Sequence, residues 1–309
     1  MIVTLTINPT IDRVITVDRL AFEDRAYVNS THESAGGRGI NSSVVIHAFE
    51  GETLALLISG GEAGKRMEAH LVRDGLPFRA VPVDKEIRTN LTITDRHGLT
   101  VNLNEKGPEL SREDVARVER AVKESLNRAT WLMVCGSTPP GVPMDFYGKL
   151  MAMARKKKVN TLLHADGEAL RHGIEERPTV VTPNHREAER LLGRMLLTRT
   201  HYLEAAEQVR SMGAESVVLS LGSRGAVGAF RDGLIEALPP RVDALCAIGA
   251  GDALSAGYTW SMMRKANSAD ALRWGVAAGT ASARLPGVTF AKLEQTKEIY
   301  RQVEMRRAE

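Results

Sequence analysis

A glycine turn, Gly249-Ala250-Gly251, delivers Asp252 into the first turn of an apolar, small-residue segment. Glycines let a backbone approach a ligand with no Cβ in the way. The unpaired N–H groups at a helix start, reinforced by the positive end of the helix dipole, hold an anion. A carboxylate beside such an anion site is placed to take a proton from a hydroxyl. These are the parts that phosphoryl transfer to an alcohol requires, because positioning and charge stabilisation supply most of that catalysis. Read alone, Asp252 can equally cap its own helix, as Asp commonly does.

Three further stretches carry chemistry. In Ala35-Gly36-Gly37-Arg38-Gly39-Ile40-Asn41 a glycine turn feeds a helix, with a cation inside the turn and an amide at its exit. Arg38 suits bidentate contact with a phosphate, and Asn41 offers both donor and acceptor to sugar hydroxyls. The same residues also read as a structural strand-to-helix turn. In Thr182-Pro183-Asn184-His185-Arg186-Glu187 the three-residue spacing puts Asn184 and Glu187 on one side of a helix start. A carboxylate and an amide there can organise the waters of a Mg²⁺ ion, with Arg186 toward nucleotide phosphates, or they can simply cap the helix. Ser220-Leu221-Gly222-Ser223-Arg224-Gly225 is a tight loop between two strand patterns, a weak signal by itself.

Other chemistries are excluded by detail. Gly60-Gly61-Glu62-Ala63-Gly64-Lys65-Arg66 resembles a P-loop only superficially, since Ser59 takes the first glycine position and Arg66 the Ser/Thr position. No dinucleotide fingerprint follows the first strand, no nucleophile elbow is present, and the histidines lack ligand spacing.

The elements needed to position these residues alternate between strand and helix, which predicts a mostly parallel sheet covered by helices. Strands are expected at 2–7, 53–58, 78–83, 131–135, 160–164, 180–182, 216–219 and 226–230. Helices are expected at 39–49, 62–74, 111–127, 143–157, 185–192, 201–212, 250–263, 269–284 and 291–303. Ser111 followed by Glu113 and Asp114 marks one helix start. Residues 13–33 and 87–104 carry strand patterning without intervening helices, and Asp95-Arg96-His97-Gly98 reads as a hairpin turn. These stretches predict a small antiparallel sheet that serves as a lid on a single domain spanning 1–309. Its exposed edges predict a homodimer through the lid.

Composition is that of an ordinary soluble globular protein. The 309 residues hold 41 Lys and Arg against 38 Asp and Glu, for a net charge of +3, which argues against a nucleic-acid surface. Two distant cysteines, Cys135 and Cys246, offer neither a disulfide framework nor a zinc site. No apolar run has membrane-spanning length, and the first residues alternate as a strand rather than a signal peptide. No membrane partner and a cytoplasmic location are the expectations.

Taken in order, the Gly36–Asn41 turn, Cys135-Gly136-Ser137-Thr138-Pro139-Pro140-Gly141, the Thr182–Glu187 segment and the Gly249–Asp252 turn resemble the PfkB carbohydrate kinases, which have the ribokinase-like fold. The resemblance spans nearly the whole chain. Thr6-Ile7-Asn8-Pro9-Thr10-Ile11-Asp12 and Asn104-Glu105-Lys106-Gly107-Pro108-Glu109 resemble the phosphosugar branch, which includes 1-phosphofructokinase, tagatose-6-phosphate kinase and the minor 6-phosphofructokinase. The resemblance implies a three-layer α/β/α sandwich and an ATP- and Mg²⁺-dependent kinase whose favoured acceptor is D-fructose 1-phosphate, with tagatose 6-phosphate or fructose 6-phosphate next. A silent sugar-phosphate sensor is the alternative from another class.

By the same resemblance Asp252 would be the base, and Gly249, Ala250 and Gly251 the anion hole. Asp12, Gly36, Gly37, Asn41 and Ser137 would hold the sugar, and Arg88, helped by Asn90 and Arg38, its phosphate. Asn184, Arg186, Ser220, Gly222, Gly225 and Gly287 would serve ATP, with Glu187 on Mg²⁺ through water. The chain departs from the family pattern at Arg38, Lys106, Thr182, Ala247-Ile248 and Leu285.

Overall fold

The computed structural model describes residues 1–21 and 24–308. Residues 22 and 23, inside the expected lid stretch 13–33, and residue 309 lie outside the described residues. Numbered along the chain, the main sheet holds β1 (Ile2–Thr6), β4 (Thr53–Ser59), β5 (Phe78–Pro82), β8 (Trp131–Cys135), β9 (Asn160–His164), β10 (Val180–Val181), β11 (Ser216–Ser220), β12 (Ala226–Phe230), β13 (Gly233–Leu238) and β14 (Glu304–Arg307). Their spatial order is β14-β13-β12-β11-β10-β9-β8-β1-β4-β5. The strands from β5 to β11 pair in parallel, and β12, β13 and β14 add on antiparallel.

The two-residue period of a strand divides the core. Leu132 and Val134 of β8 enter one apolar cluster, and Trp131, Met133 and Cys135 enter the other. The first cluster packs against α2 (Gly61–Arg73), α3 (Arg112–Ser125), α4 (Phe146–Lys156), α5 (Gly167–Glu175), α6 (His185–Leu192) and α7 (Arg199–Ser211). The second lies under α1 (Arg38–Ala48), α8 (Ala250–Met263), α9 (Ser268–Ala283) and α10 (Leu293–Tyr300). This is the expected three-layer sandwich. Helices α8 and α9 approach so closely that a Cβ at Gly275 would stand 2.8 Å from the Leu254 carbonyl oxygen, and one at Gly279 2.8 Å from that of Ala250. The small residues of the sequence therefore fix how α8 sits on the sheet.

A second sheet is separate. It contains β2 (Thr10–Val17), β3 (Val28–Gly36), β6 (Arg88–Asp95) and β7 (Thr100–Asn104), in the order β3-β2-β6-β7. Its outer pairs are antiparallel, as expected, while the central β2·β6 pair is parallel. The Asp95–Gly98 turn forms as read, with Asp95 Oδ1 accepting from the His97 and Leu99 N–H groups at 2.9 and 3.0 Å. The sheet is tied to α2 through Glu33, which pairs with Arg66 and His70 of that helix and with Arg13 of β2.

Three elements were not legible in the sequence. Helix α5 is short and carries two glycines, Gly167 and Gly173, which depress helix propensity. Strand β13 follows a tight turn at Asp232-Gly233 and is joined to β12 by backbone pairing. Strand β14 is a charged edge strand with no apolar alternation. No described helix is long and apolar enough to cross a membrane.

The start of α3 offers a local test. Ser111 Oγ accepts from the Asp114 N–H at 3.1 Å, and Asp114 Oδ2 accepts from the Ser111 N–H at 2.8 Å, completing a capping box. Ser111→Ala should lower unfolding free energy by about 1 kcal/mol in urea denaturation and leave kcat unchanged. An unchanged stability would contradict the capping assignment.

Candidate active site

Several of the chemistry-bearing stretches fall at the carboxyl end of a main-sheet strand, where open α/β sheets bind ligands. Asn8 follows β1, Ser137 follows β8, Asp166 follows β9, the Thr182–Glu187 segment follows β10, and the Ser220–Gly225 loop follows β11. Strand topology thus gathers residues separated by more than half the chain.

Asp252 lies in the first turn of α8 and is 6% exposed. Gly249 precedes the helix at φ 81°, the left-handed region that favours glycine, and no side chain caps the helix. Asp252 therefore does not cap its own helix. Its Oδ2 instead accepts from Asn41 Nδ2 at 2.7 Å, and Ser42 Oγ donates to its carbonyl at 3.3 Å. Burial pushes its pKa up to about 6, against the lowering effects of the Asn41 hydrogen bond and the Arg38 charge. At neutral pH it is a carboxylate of raised basicity, the condition a general base needs. In the turn, the Ala250 N–H is taken by the Ala247 carbonyl at 3.2 Å. Among the described residues no acceptor meets the Gly251 or Asp252 N–H groups. The turn thus leaves the Gly249, Gly251 and Asp252 N–H groups without a backbone acceptor among the described residues, the donors an anion would meet.

Arg38 links the two halves of the site. Its Nη2 donates to Glu187 Oε1 at 2.8 Å, and that carboxylate is 1% exposed. Glu187 Oε2 accepts from the Asn184 N–H at 2.9 Å while Asn184 Oδ1 accepts from the Glu187 N–H at 2.9 Å. The capping reading of this segment is therefore realised, and both Glu187 oxygens are engaged. Arg38 Nη1 is buried and has no partner among the described residues. Its charge is felt by Asp252, Glu187 and Asp166.

A second cluster of polar side chains is built on the small sheet. Asp12 and Asn90 face each other in register across β2 and β6, and Asn90 Nδ2 donates to Asp12 Oδ1 at 3.0 Å. Burial raises the Asp12 pKa, opposed by the Asn90 bond and Arg88. Gly36 leaves room for this carboxylate, since a Cβ there would stand 2.0 Å from Asp12 Oδ2. Gly37 begins α1. Arg88 Nη2 donates to the Asn8 carbonyl at 3.0 Å and Nη1 to the Glu105 carbonyl at 3.1 Å, while its Nε is buried without a partner among the described residues. No carboxylate among the described residues forms an ion pair with Arg88, although the charges of Asp12 and Glu105 are felt by it. Burial and nearby Arg38 lower its pKa. Asn8 Nδ2 also reaches Ser137 Oγ at 3.2 Å and the Lys106 carbonyl at 3.0 Å, joining Ser137 to this side.

On the other side, Asn184 and Ser220 form an isolated parallel bridge, which brings the Ser220–Gly225 loop beside the start of α6. Gly222 and Gly225 bound a single 3₁₀ turn in that loop. The loop of Gly287 turns back on the anion turn, because Val288 and Phe290 line the space beside Gly249. Arg186 is exposed and makes no hydrogen bond or ion pair to a described residue. His164, Asp166 and Asn8 were missed as site residues. Strand ends at 160–164 and 2–7 were the available signal, since ligands gather at such ends.

For Mg²⁺, no three His, Cys, Asp or Glu side chains converge among the described residues. With Glu187 already holding Arg38 and its own cap, the donor set fits an ion carried by phosphates and its own waters, not a protein cage.

The layered fold with its separate small sheet is ribokinase-like. The sequence pattern described as pfkB family carbohydrate kinase matches residues 2–295. The chain is 28% identical over 302 residues to ATP-dependent 6-phosphofructokinase isozyme 2 of Escherichia coli strain K12, covering 97% of each. It superposes on a possible 1-phosphofructokinase from Thermotoga maritima with TM-score 0.91 and 27% identity, covering 100% of both chains. It also superposes on the tetrameric inhibited form of phosphofructokinase-2 from Escherichia coli with TM-score 0.89 and 27% identity, covering 97% of this chain and 98% of that one. The chain belongs to the pfkB family of carbohydrate kinases. It is a phosphotransferase that acts on a sugar hydroxyl.

Two outcomes follow from this geometry. With Asp252 active only when ionised, kcat/KM should rise with pH and level off above about 6, and Asp252→Asn should be inactive throughout. A flat profile, or turnover in the Asn variant, would remove Asp252 as base. Gly36→Ala forces the Asp12 carboxylate aside, so KM for the sugar should rise about 10-fold with KM for ATP unchanged. Equal KM values for wild type and variant would contradict the Asp12 contact.

Proposed function

We propose that this enzyme transfers the γ-phosphoryl group of ATP to the free primary hydroxyl of a ketohexose monophosphate, with D-fructose 1-phosphate as the acceptor and the 1,6-bisphosphate as product. The observation that carries the reading is Arg88, a largely buried guanidinium held on two carbonyl oxygens with no carboxylate partner among the described residues. An acceptor that already bears a phosphate supplies the missing charge, and a bidentate guanidinium–phosphate contact is strong. Arg38 adds a second cation between Arg88 and the nucleotide side. Fructose 6-phosphate is the second reading, favoured by the name of the Escherichia coli relative.

In the proposed reaction Asp12, Asn90 and Asn41 orient the sugar hydroxyls. Its free hydroxyl oxygen bonds to the γ-phosphorus as the bond to the β,γ-bridging oxygen breaks, and the hydroxyl proton passes to Asp252. The Gly251 and Asp252 N–H groups face the charge that develops on the moving phosphoryl group. Asn184 and the Ser220–Gly225 loop border the nucleotide. Glu187 would order the waters of Mg²⁺, which screens phosphate charge when bound.

We infer that a homodimer forms through the small sheet. Alternation places Asp12, Asn90 and Thr92 on the face toward the sugar and Ile15, Leu91, Ile93 and Leu103 on the other. Leu103 is 52% exposed, and Tyr27 and Val28 beside the edge strand are exposed as well. Such a face favours burial against a second copy.

A coupled ADP-release assay with Mg-ATP across fructose 1-phosphate, fructose 6-phosphate, tagatose 6-phosphate, fructose and ribose tests the substrate. The highest kcat/KM is expected for fructose 1-phosphate, and Arg88→Ala should raise KM for the phosphosugar far more than for ATP. Preference for an unphosphorylated sugar would overturn the Arg88 role.

A further inference from the structure

His164 ends β9 and is almost fully buried beside the anion turn. A Cβ built on Gly251 would stand 3.8 Å from its Cε1. Its Nδ1 lies 3.4 Å from Ser255 Oγ and 3.6 Å from Asp252 Oδ1. Asn41 occupies Oδ2 of that carboxylate, and among the described residues no hydrogen bond is made to Oδ1, which this imidazole faces.

The neighbouring hydroxyls decide where the imidazole proton sits. Ser255 Oγ donates to Thr182 Oγ1 at 2.9 Å. Its proton is therefore committed, and only its lone pairs face His164. An imidazole nitrogen meeting both a hydroxyl lone pair and a carboxylate oxygen must itself carry the hydrogen. The chain of contacts thus runs from Thr182 through Ser255 to His164 Nδ1–H and on to Asp252 Oδ1. Burial and the charge of Arg38 hold His164 well below its usual pKa, so it is a neutral donor. The separation from Oδ1 is longer than a made hydrogen bond, as is common for catalytic contacts before substrate closes the site.

We propose that His164 is a positioning residue for phosphoryl transfer, its Nδ1–H fixing Oδ1 of Asp252 so that the carboxylate plane meets the acceptor hydroxyl. This rests on the reading of Asp252 as the base. Two neutral donors then flank the carboxylate, Asn41 bonded to Oδ2 and His164 facing Oδ1. Neither neutralises it, which preserves its capacity to accept a proton. A guanidinium in the place of either would hold the group equally well but depress its basicity.

The test compares His164→Asn, His164→Gln and His164→Leu in the full-length enzyme, with Asp252→Asn alongside. The Asn amide nitrogen falls near the position of imidazole Nδ1, whereas the Gln amide nitrogen falls near Nε2. His164→Leu and His164→Gln should lose kcat by roughly 10- to 100-fold with KM for both substrates within about two-fold, and His164→Asn should recover most of the loss. Thermal melts of the three variants separate this pattern from loss of fold, because Asn and Gln burden the buried site alike. Wild-type kcat in His164→Leu, or equal kcat in the folded Asn and Gln variants, would overturn the proposal. Turnover in Asp252→Asn would instead overturn the base assignment on which it stands.

Discussion

Asn41 Nδ2 donates to Asp252 Oδ2 at 2.7 Å, and this buried bond joins the helix after the first glycine turn to the helix after the last. An ionised carboxylate removed from water is costly unless donors replace its hydration. A hydrogen bond to a charged group contributes about 1.5–3 kcal/mol, and a neutral donor leaves the charge intact. Both partners must therefore be held rigidly. Thr6 of β1 accepts from the Ile40 N–H at 3.0 Å, and Thr4 and Ser43 bond beneath α1 at 2.8 Å. On the other side the glycine-lined contact with α9 seats α8. The polar face of β1 and the small-residue face of α9 thus serve one geometric requirement.

Of the two guanidiniums in the site, only one is paired with a carboxylate. Arg38 is paired with Glu187 and feels Asp252 and Asp166, while Arg88 rests on carbonyl dipoles. On the proposed function, phosphates entering from the acceptor and nucleotide sides would meet two guanidiniums whose Nη1 and Nε atoms are buried and unpartnered among the described residues. Little reorganisation is needed for those contacts, which is how preorganised electrostatics lowers a barrier. The small sheet contributes Asp12, Asn90 and Arg88 from strands in register, so on the proposed function its position relative to the main sheet would set the acceptor geometry.

The sequence exposed the motifs because glycine turns and helix starts have local causes. Ala250–Met263, His185–Leu192 and Trp131–Cys135 begin and end where the pattern placed them. The strand content of the small sheet was also readable, through its alternation and the Asp95–Gly98 turn. The parallel pairing of β2 with β6 was not, because pairing partners distant in sequence leave no local trace. The same limit hid His164 and Asp166. Neither sits in a glycine motif, and their relevance arises only once β9 lies beside β8 and β10. Arg38 was legible as a site cation, but its contact with Glu187, 149 residues away, depended on the fold. Position at a strand's carboxyl end is the cue that would have recovered the missed residues.

A direct titration of the Asp252 side chain by carbon-13 NMR, with the resonance assigned by its loss in Asp252→Asn, reports the property on which the whole site depends. A midpoint raised to about 6 is expected for a buried carboxylate held by neutral donors. A midpoint near the ordinary aspartate value of about 4 would show a solvated or salt-bridged group and contradict the account of Asp252 as the buried base.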